Sequence, residues 1–248
     1  MAEADPVGTD LEWQARVDLA ACYRLVALHG WDDLLATHIS ARVPGAADTF
    51  LVNQMGLAFD EITASSLVRV RLDGTVIDAD RPINPAGFTI HSAIHEVRDD
   101  AHCVLHLHTP DGMAVSALAE GLLPLNQSAM LVCGDVAYHD FEGVALRLDE
   151  RERLQRNLGR RNFLILRNHG TLVTGNSVGE AFVRAFLLEK SCAAQVRTLA
   201  MGRPLAEASA ESRERTAEVG ASMGAGYAGL VWGAMNRRLQ RLGSDHAR

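Results

Sequence analysis

The chain has 248 residues, 48% hydrophobic and 22% charged, which is enough apolar content for a substantial core and excludes a disordered polymer. Its formal net charge of −7, with no block rich in Lys or Arg, lacks the footprint of a nucleic-acid or anionic-membrane binder and leaves a small molecule or a protein as the expected partner. No run approaches the roughly 20 apolar residues of a membrane span, and the opening MAEADPVGTDLEW lacks the basic-then-apolar order of a signal peptide, so the expected location is the cytoplasm.

In chain order, Thr9-Asp10-Leu11-Glu12 reads as a capping box, followed by Val17, Ala20, Ala21, Leu25 and Leu28 at helical spacing until Gly30. A first helix is expected there. Short β-prone pieces follow at 38–43 and 49–53, then Val68, Val70 and Leu72 alternate up to Asp73-Gly74, a hairpin signal leading into Val76 and Ile77. The stretch from about 35 to 80 is therefore expected to be mostly antiparallel sheet. Asn84-Pro85 supplies an N-cap and a first-turn proline for a second helix running to about Arg98. Residues 103–108 make the next strand, and a helix from Pro110 reaches Leu118.

Further on, Phe163 to Leu166 is a strand broken by Asn168-His169-Gly170 and resumed at Leu172-Val173. Ser177-Val178-Gly179-Glu180 is a second capping box opening the longest helix, so the isolated GNSVGE is a helix start rather than a nucleotide loop. No linker divides the chain. The expectation is one α/β domain over 1–248, its core about 11–199 and a helical tail over 200–248. Cys22, Cys103, Cys133 and Cys192 follow no CxxC spacing and read as free, buried thiols of a reducing compartment.

The segment HCVLHLHTP, 102–110, carries the chemistry. Alternate side chains of a strand share a face, and Cα atoms two apart lie roughly 6.5 to 7 Å from each other, so His106 and His108 can reach one metal ion. The bland reading is two half-exposed histidines on an edge strand. Two same-face histidines inside an apolar strand argue against it, because each imidazole buried there needs a hydrogen-bond partner or a ligand. His169, in LRNHGTL, stands where a strand ends in a glycine turn and is the third candidate. Three histidines leave a metal with open positions, the catalytic pattern rather than the closed structural one.

With THISARVP (37–44), FLVNQMGLAFDEIT (50–63), NPAGFTIHSAIHEVRDD (84–100), VLHLHTPDGMAVSAL (104–118), GLLPLNQSAM (121–130), VAYHDFEG (136–143) and LRNHGTLVTG (166–175), the sequence resembles the class II aldolase/adducin family from about Leu11 to Leu199. The resemblance implies a three-layer αβα fold with a central, mostly antiparallel sheet, assembly as a homotetramer with sites near subunit interfaces, and a divalent metal on His106, His108 and His169. Zinc is the first expectation, with iron or manganese as alternatives. NPAGF, LHTP and YHDFEG lie nearer the adducin-like branch, whose members include cytoskeletal heads without enzyme activity as well as metal-dependent decarboxylases and non-haem iron oxygenases.

Departures from the family pattern narrow the chemistry. The carboxylate that serves sugar-phosphate aldolases as proton-transfer group stands nineteen positions before the first metal histidine, and Gly87 occupies that place here. Their phosphate-holding positions fall on His38, Met55-Gly56 and Pro85-Ala86, of which methionine, proline and alanine offer no side-chain donor to a phosphate dianion. The expected substrate is thus a non-phosphorylated hydroxy- or oxo-acid, and the expected reaction a decarboxylation or aldol cleavage through a metal-stabilised enolate. An oxygenase and a non-catalytic adducin-like module are the alternatives. Proton-donor candidates are His38, Tyr138 and His139, with His91 if the second helix turns it inward. Glu142 reads equally as a neighbour of a ligand histidine or as an exposed side chain, and Tyr227 and Trp232 as a cover over a neighbouring site or as packing.

Overall fold

The computed structural model describes residues 10–78 and 82–248; Thr9, the first residue of the expected capping box, lies outside them. The described residues open with α1 (Asp10–Leu28) and continue with β1 (His38–Arg42), β2 (Thr49–Asn53), β3 (Leu67–Arg71), α2 (Pro85–Val97), β4 (Cys103–Leu107), α3 (Pro110–Ser116) and α4 (Gln127–Val132). Then come β5 (Val136–His139), α5 (Glu150–Leu158), β6 (Phe163–Leu166), β7 (Gly170–Gly175), α6 (Val178–Ala200), α7 (Ala210–Ser222) and α8 (Ala225–Arg241). Seven strands form one sheet in the order β3-β2-β1-β4-β7-β6-β5, antiparallel throughout except for the β5–β6 pair. The mixed α/β architecture with a mostly antiparallel centre is the one anticipated. Sequence patterning did not reveal β5, whose four residues VAYH carry no alternation, nor α4 and α5.

Alternation along the strands divides the core. Ile39, Leu105, Leu107, Ile165 and Val173 pack with α1 and α6 on one face, whereas Val104, Leu164 and Leu172 meet Ile90, Ile94, Leu154 and Leu158 of α2 and α5 on the other. Helices thus cover both faces. Asn84 caps α2 by accepting from Ala86 N and Gly87 N at 3.0 and 3.3 Å, and Ser177 caps α6 by accepting from Glu180 N at 3.1 Å. The Asp73-Gly74 turn forms with Gly74 at φ 93°, but the returning segment makes only an isolated bridge, Val70 to Val76, rather than a strand.

All four cysteines are free, with Cys133 half-buried and the other three buried. Among the described residues no helix is long and apolar enough to cross a membrane.

Candidate metal centre

Register brings the histidines together. In the antiparallel β1–β4 pair His38 lies opposite His106, and in the β4–β7 pair His106 lies opposite Leu172 and Leu107 opposite Thr171. His108 follows the last residue of β4, and His169 fills the turn between β6 and β7. The rings of His106, His108 and His169 sit pairwise 4.7 to 4.8 Å apart by centroid, and one nitrogen from each falls within 4.8 Å of the others. His106 is completely buried; the other two are half-buried.

Hydrogen bonds fix which nitrogens are free. His106 Nδ1 stands 2.9 Å from the Thr171 carbonyl oxygen, and His108 Nδ1 stands 3.1 Å from Asp33 Oδ2. Both partners only accept, so each Nδ1 carries the hydrogen and each Nε2 of a neutral ring is bare. Those two bare nitrogens face each other at 2.9 Å. Two lone pairs so placed repel unless a cation or a proton lies between them. A proton is disfavoured, because burial, and after it the neighbouring His38 and His169, hold His106 well below the ordinary histidine range. Burial, assisted by His108, lowers His169 to about 4. The donor set therefore suits a divalent ion, since nitrogens each about 2.0 to 2.1 Å from zinc can stand up to about 4.2 Å apart.

Asp33 escaped the sequence reading. It lies in the loop after α1, 75 residues from His108 in sequence, and nothing in WDDLL marks one aspartate as a histidine partner. Carboxylate and carbonyl partners of this kind orient metal-binding imidazoles. Backbone strain concentrates here too. Among the described residues only Leu34, at φ 49°, and Asn168, at φ 55°, are non-glycine residues with positive φ, and they adjoin Asp33 and His169 respectively.

A second set of histidines lies against the first on the α2 side of the sheet. The His38 ring is 5.1 Å from that of His106 by centroid. Its Nδ1 meets His91 Nε2 at 2.7 Å, His91 Nδ1 meets Ser40 Oγ at 2.5 Å, and Ser40 Oγ meets His95 Nε2 at 2.8 Å. The far nitrogen, His95 Nδ1, faces the Ala101 backbone without reaching hydrogen-bond geometry. Burial, reinforced by neighbouring imidazoles, holds His38 and His91 well below the ordinary range, and burial with the Arg42 charge lowers His95 to about 3. Thus His91 does turn inward, one helical turn before His95 on the buried face of α2.

Gly87 explains why the seam fits. A Cβ built there would stand 2.7 Å from His38 Cδ2 and 2.9 Å from its Cγ, so the imidazole occupies the space that a side chain at 87 requires. Carboxylate at 87 and this His38 rotamer exclude each other. Asn84 also occupies the Ala86 and Gly87 amides at the start of α2, which removes them as donors to a phosphate.

Tyr138 and His139 stand on β5, three strands from β4 in the sheet order. The Tyr138 hydroxyl accepts from Leu122 N at 3.1 Å, while the Arg167 guanidinium caps the ring at 4.3 Å from its centroid. His139 meets Glu150 Oε1 at 3.3 Å and Asn157 Nδ2 at 2.8 Å. Glu142 forms a two-pronged pair with Arg153, both contacts 2.6 Å, and lies 3.9 Å from His139 rather than beside a clustered histidine. Trp232 packs on Phe182 at 5.9 Å and donates to Asp18 at 3.0 Å, whereas Tyr227 is 51% exposed.

Comparison with known proteins agrees with this architecture. Residues 17–196 match the family described as Class II Aldolase and Adducin N-terminal domain. A Caulobacter vibrioides protein named "Putative aldolase class 2 protein" is 54% identical over 243 residues, 96% of this chain and 94% of that protein. Alpha-adducin of Mus musculus is 48% identical over 189 residues, which are 75% of this chain but only 26% of adducin. Among solved structures, an aldolase II superfamily protein from Pseudomonas syringae superposes with a TM-score of 0.92 at 46% identity, covering 97% of this chain and 98% of that one. L-fuculose 1-phosphate aldolase from Glaciozyma antarctica superposes with a TM-score of 0.84 at 28% identity, covering 99% and 97%. The chain belongs to the class II aldolase/adducin family.

Proposed function

We propose that this chain is a metal-dependent carbon–carbon lyase acting on a non-phosphorylated hydroxy- or oxo-acid, with His106, His108 and His169 as the metal ligands. The observation that carries the reading is the pair of bare imidazole nitrogens facing each other at 2.9 Å, with the third histidine ring beside them. A divalent ion held by three neutral rings keeps its full charge and, when bound, polarises a carbonyl or carboxylate and stabilises the negative charge of an enolate. Zinc and iron suit three imidazoles, with zinc as the leading assignment and manganese, which favours oxygen ligands, as the weaker alternative.

Proton handling falls to His38. In one direction of the buried chain His38 Nδ1 donates to His91, His91 Nδ1 to Ser40, and Ser40 to His95, leaving His38 Nε2 bare. Reversed, His95 Nε2 donates to Ser40, Ser40 to His91, His91 Nε2 to His38 Nδ1, and His38 Nε2 holds a hydrogen to give. Giving it to the substrate's carbanionic carbon restores the first arrangement once His95 Nδ1 takes up one proton. Both arrangements are neutral, so the burial that depresses these histidines does not oppose the exchange. Loss of the carboxylate at 87 favours decarboxylation over aldol cleavage, because no base is then needed for a substrate hydroxyl. The capped α2 amides and the residues at 55, 85 and 86 support a substrate without phosphate.

A second reading, a non-catalytic adducin-like binding module, is favoured by the 48% identity with alpha-adducin. Elemental analysis separates the two. Purified protein is expected to hold about one divalent ion per chain, lost in His106→Ala and His108→Ala; metal retained in both variants refutes these ligands, and a folded, metal-refractory wild type favours the module. With hydroxy- and oxo-acids, a lyase consumes no oxygen, so stoichiometric oxygen uptake with Fe(II) would point to an oxygenase instead.

A further inference from the structure

Glu189, in the middle of α6, is 4% exposed, and burial raises its carboxyl above the usual range. Its oxygens are met by hydroxyls: Thr109 Oγ1 donates to Oε2, and Thr171 Oγ1 donates to Oε1 at 2.9 Å. A buried carboxylate held by neutral hydroxyls is a costly way to fill a core, and an apolar side chain would serve packing better.

The two threonines show what the arrangement accomplishes. Thr109 follows His108 directly and also caps α3 by accepting from Gly112 N at 3.1 Å. Thr171 lies two residues after His169, and its carbonyl oxygen takes the His106 Nδ1 hydrogen at 2.9 Å. One carboxylate therefore grips the chain leaving each of two ligand histidines and the residue that orients the third. The grip needs room. A Cβ at Gly112 would stand 2.6 Å from Thr109 Oγ1 and 3.4 Å from Glu189 Oε1.

We propose that Glu189 is a positioning residue for the three-histidine centre, a buried clamp that holds the β4 exit and the start of β7 at the separation metal binding requires. The inference rests on the metal reading above and adds to it a residue that touches neither metal nor substrate. Outer partners of this kind typically alter metal affinity by about 10- to 100-fold.

The test is a Co2+ titration of metal-free wild type, Glu189→Gln and Glu189→Leu, read by the visible absorption of bound Co2+, with unfolding of each metal-free protein measured alongside. Glu189→Gln is expected to stay folded, bind Co2+ about tenfold or more weakly and shift the absorption bands. Thr109→Val with Thr171→Val should weaken Co2+ by a similar factor, and combining all three changes should add little beyond either set. Should Glu189→Gln not fold, the double threonine variant decides alone. Affinity within about threefold of wild type in the folded variants, with only the melting temperature lowered, overturns the clamp and reduces Glu189 to a packing residue. A wild type that binds no Co2+ rejects the three-histidine reading together with the clamp; wild-type binding matched by Glu189→Gln rejects the clamp alone.

Discussion

At the scale of single residues, the exchange between positions 38 and 87 bears most directly on chemistry. Gly87 has no side chain, and the His38 imidazole fills the volume above it, with Cδ2 2.7 Å from where a Cβ would be. The pair should therefore behave as one unit. Gly87→Ala is expected to lose about 1 to 3 kcal/mol in denaturant unfolding, because His38 is packed on all sides and cannot swing away cheaply. His38→Asn, which shortens the side chain, should recover much of that loss when combined with Gly87→Ala. Strictly additive losses in the double variant would show that the two positions do not share this space.

At the scale of elements, the contact between α2 and β1 is unusual for a core. Ile90 and Ile94 of α2 pack on the neighbouring Val104 of β4, yet His38, Ser40, His91 and His95 thread a polar line between α2 and β1. These imidazoles are neutral in the fold, with His95 lowered to about 3. An unfolded histidine titrates near 6.5, so between that pH and the folded value the unfolded chain binds more protons, and stability rises with pH. The contribution is complete above about pH 6.5 and is lost as pH falls below it, by about 1.4 kcal/mol for each pH unit per fully neutral histidine. Urea unfolding of metal-free protein at pH 7 and pH 5 checks this: the midpoint should fall, and His95→Gln should flatten the dependence. An unchanged midpoint would mean that these rings can charge within the fold.

At the scale of the whole molecule, the helices after residue 200 bear on the core through close approaches, Gly220 of α7 against the Leu131 backbone of α4 and Trp232 of α8 against Gly179 of α6. A Cβ at Gly179, in the first turn of α6, would lie 2.8 Å from Trp232 Cβ on α8, and the Trp232 indole reaches Asp18 of α1 at 3.0 Å. The last residues add backbone bonds, Ala64 N to His246 O and Ser65 N to Arg248 O, each 2.8 Å. Because Trp232 bridges α1 and α6, Gly179→Val should push α8 away and Trp232→Ala should cost about 2 to 3 kcal/mol. Both are expected to speed proteolytic cleavage between α7 and α8 while the sheet stays intact; equal cleavage rates would show that the tail docks by other contacts.

Much of this was legible in the sequence because it rests on local rules. Helix caps at Asn84 and Ser177 depend on a few neighbouring residues, and His-x-His shares a strand face by the two-residue period alone. The match to a known pattern then placed His169 with them, although it lies 61 residues from His108. Short segments without periodicity, such as β5, gave no signal. Sequence by itself determined most of the strands and helices, the family and the candidacy of His106, His108 and His169, since periodicity and motif are written along the chain. Only the tertiary structure decided that Asp33 holds His108, that Glu189 meets two threonines beside the clustered histidines, and that His38 fills the room over Gly87. Those relations depend on the register between strands and on which side chains meet across layers, and pairing of residues 18 to 80 positions apart leaves no mark in any local stretch.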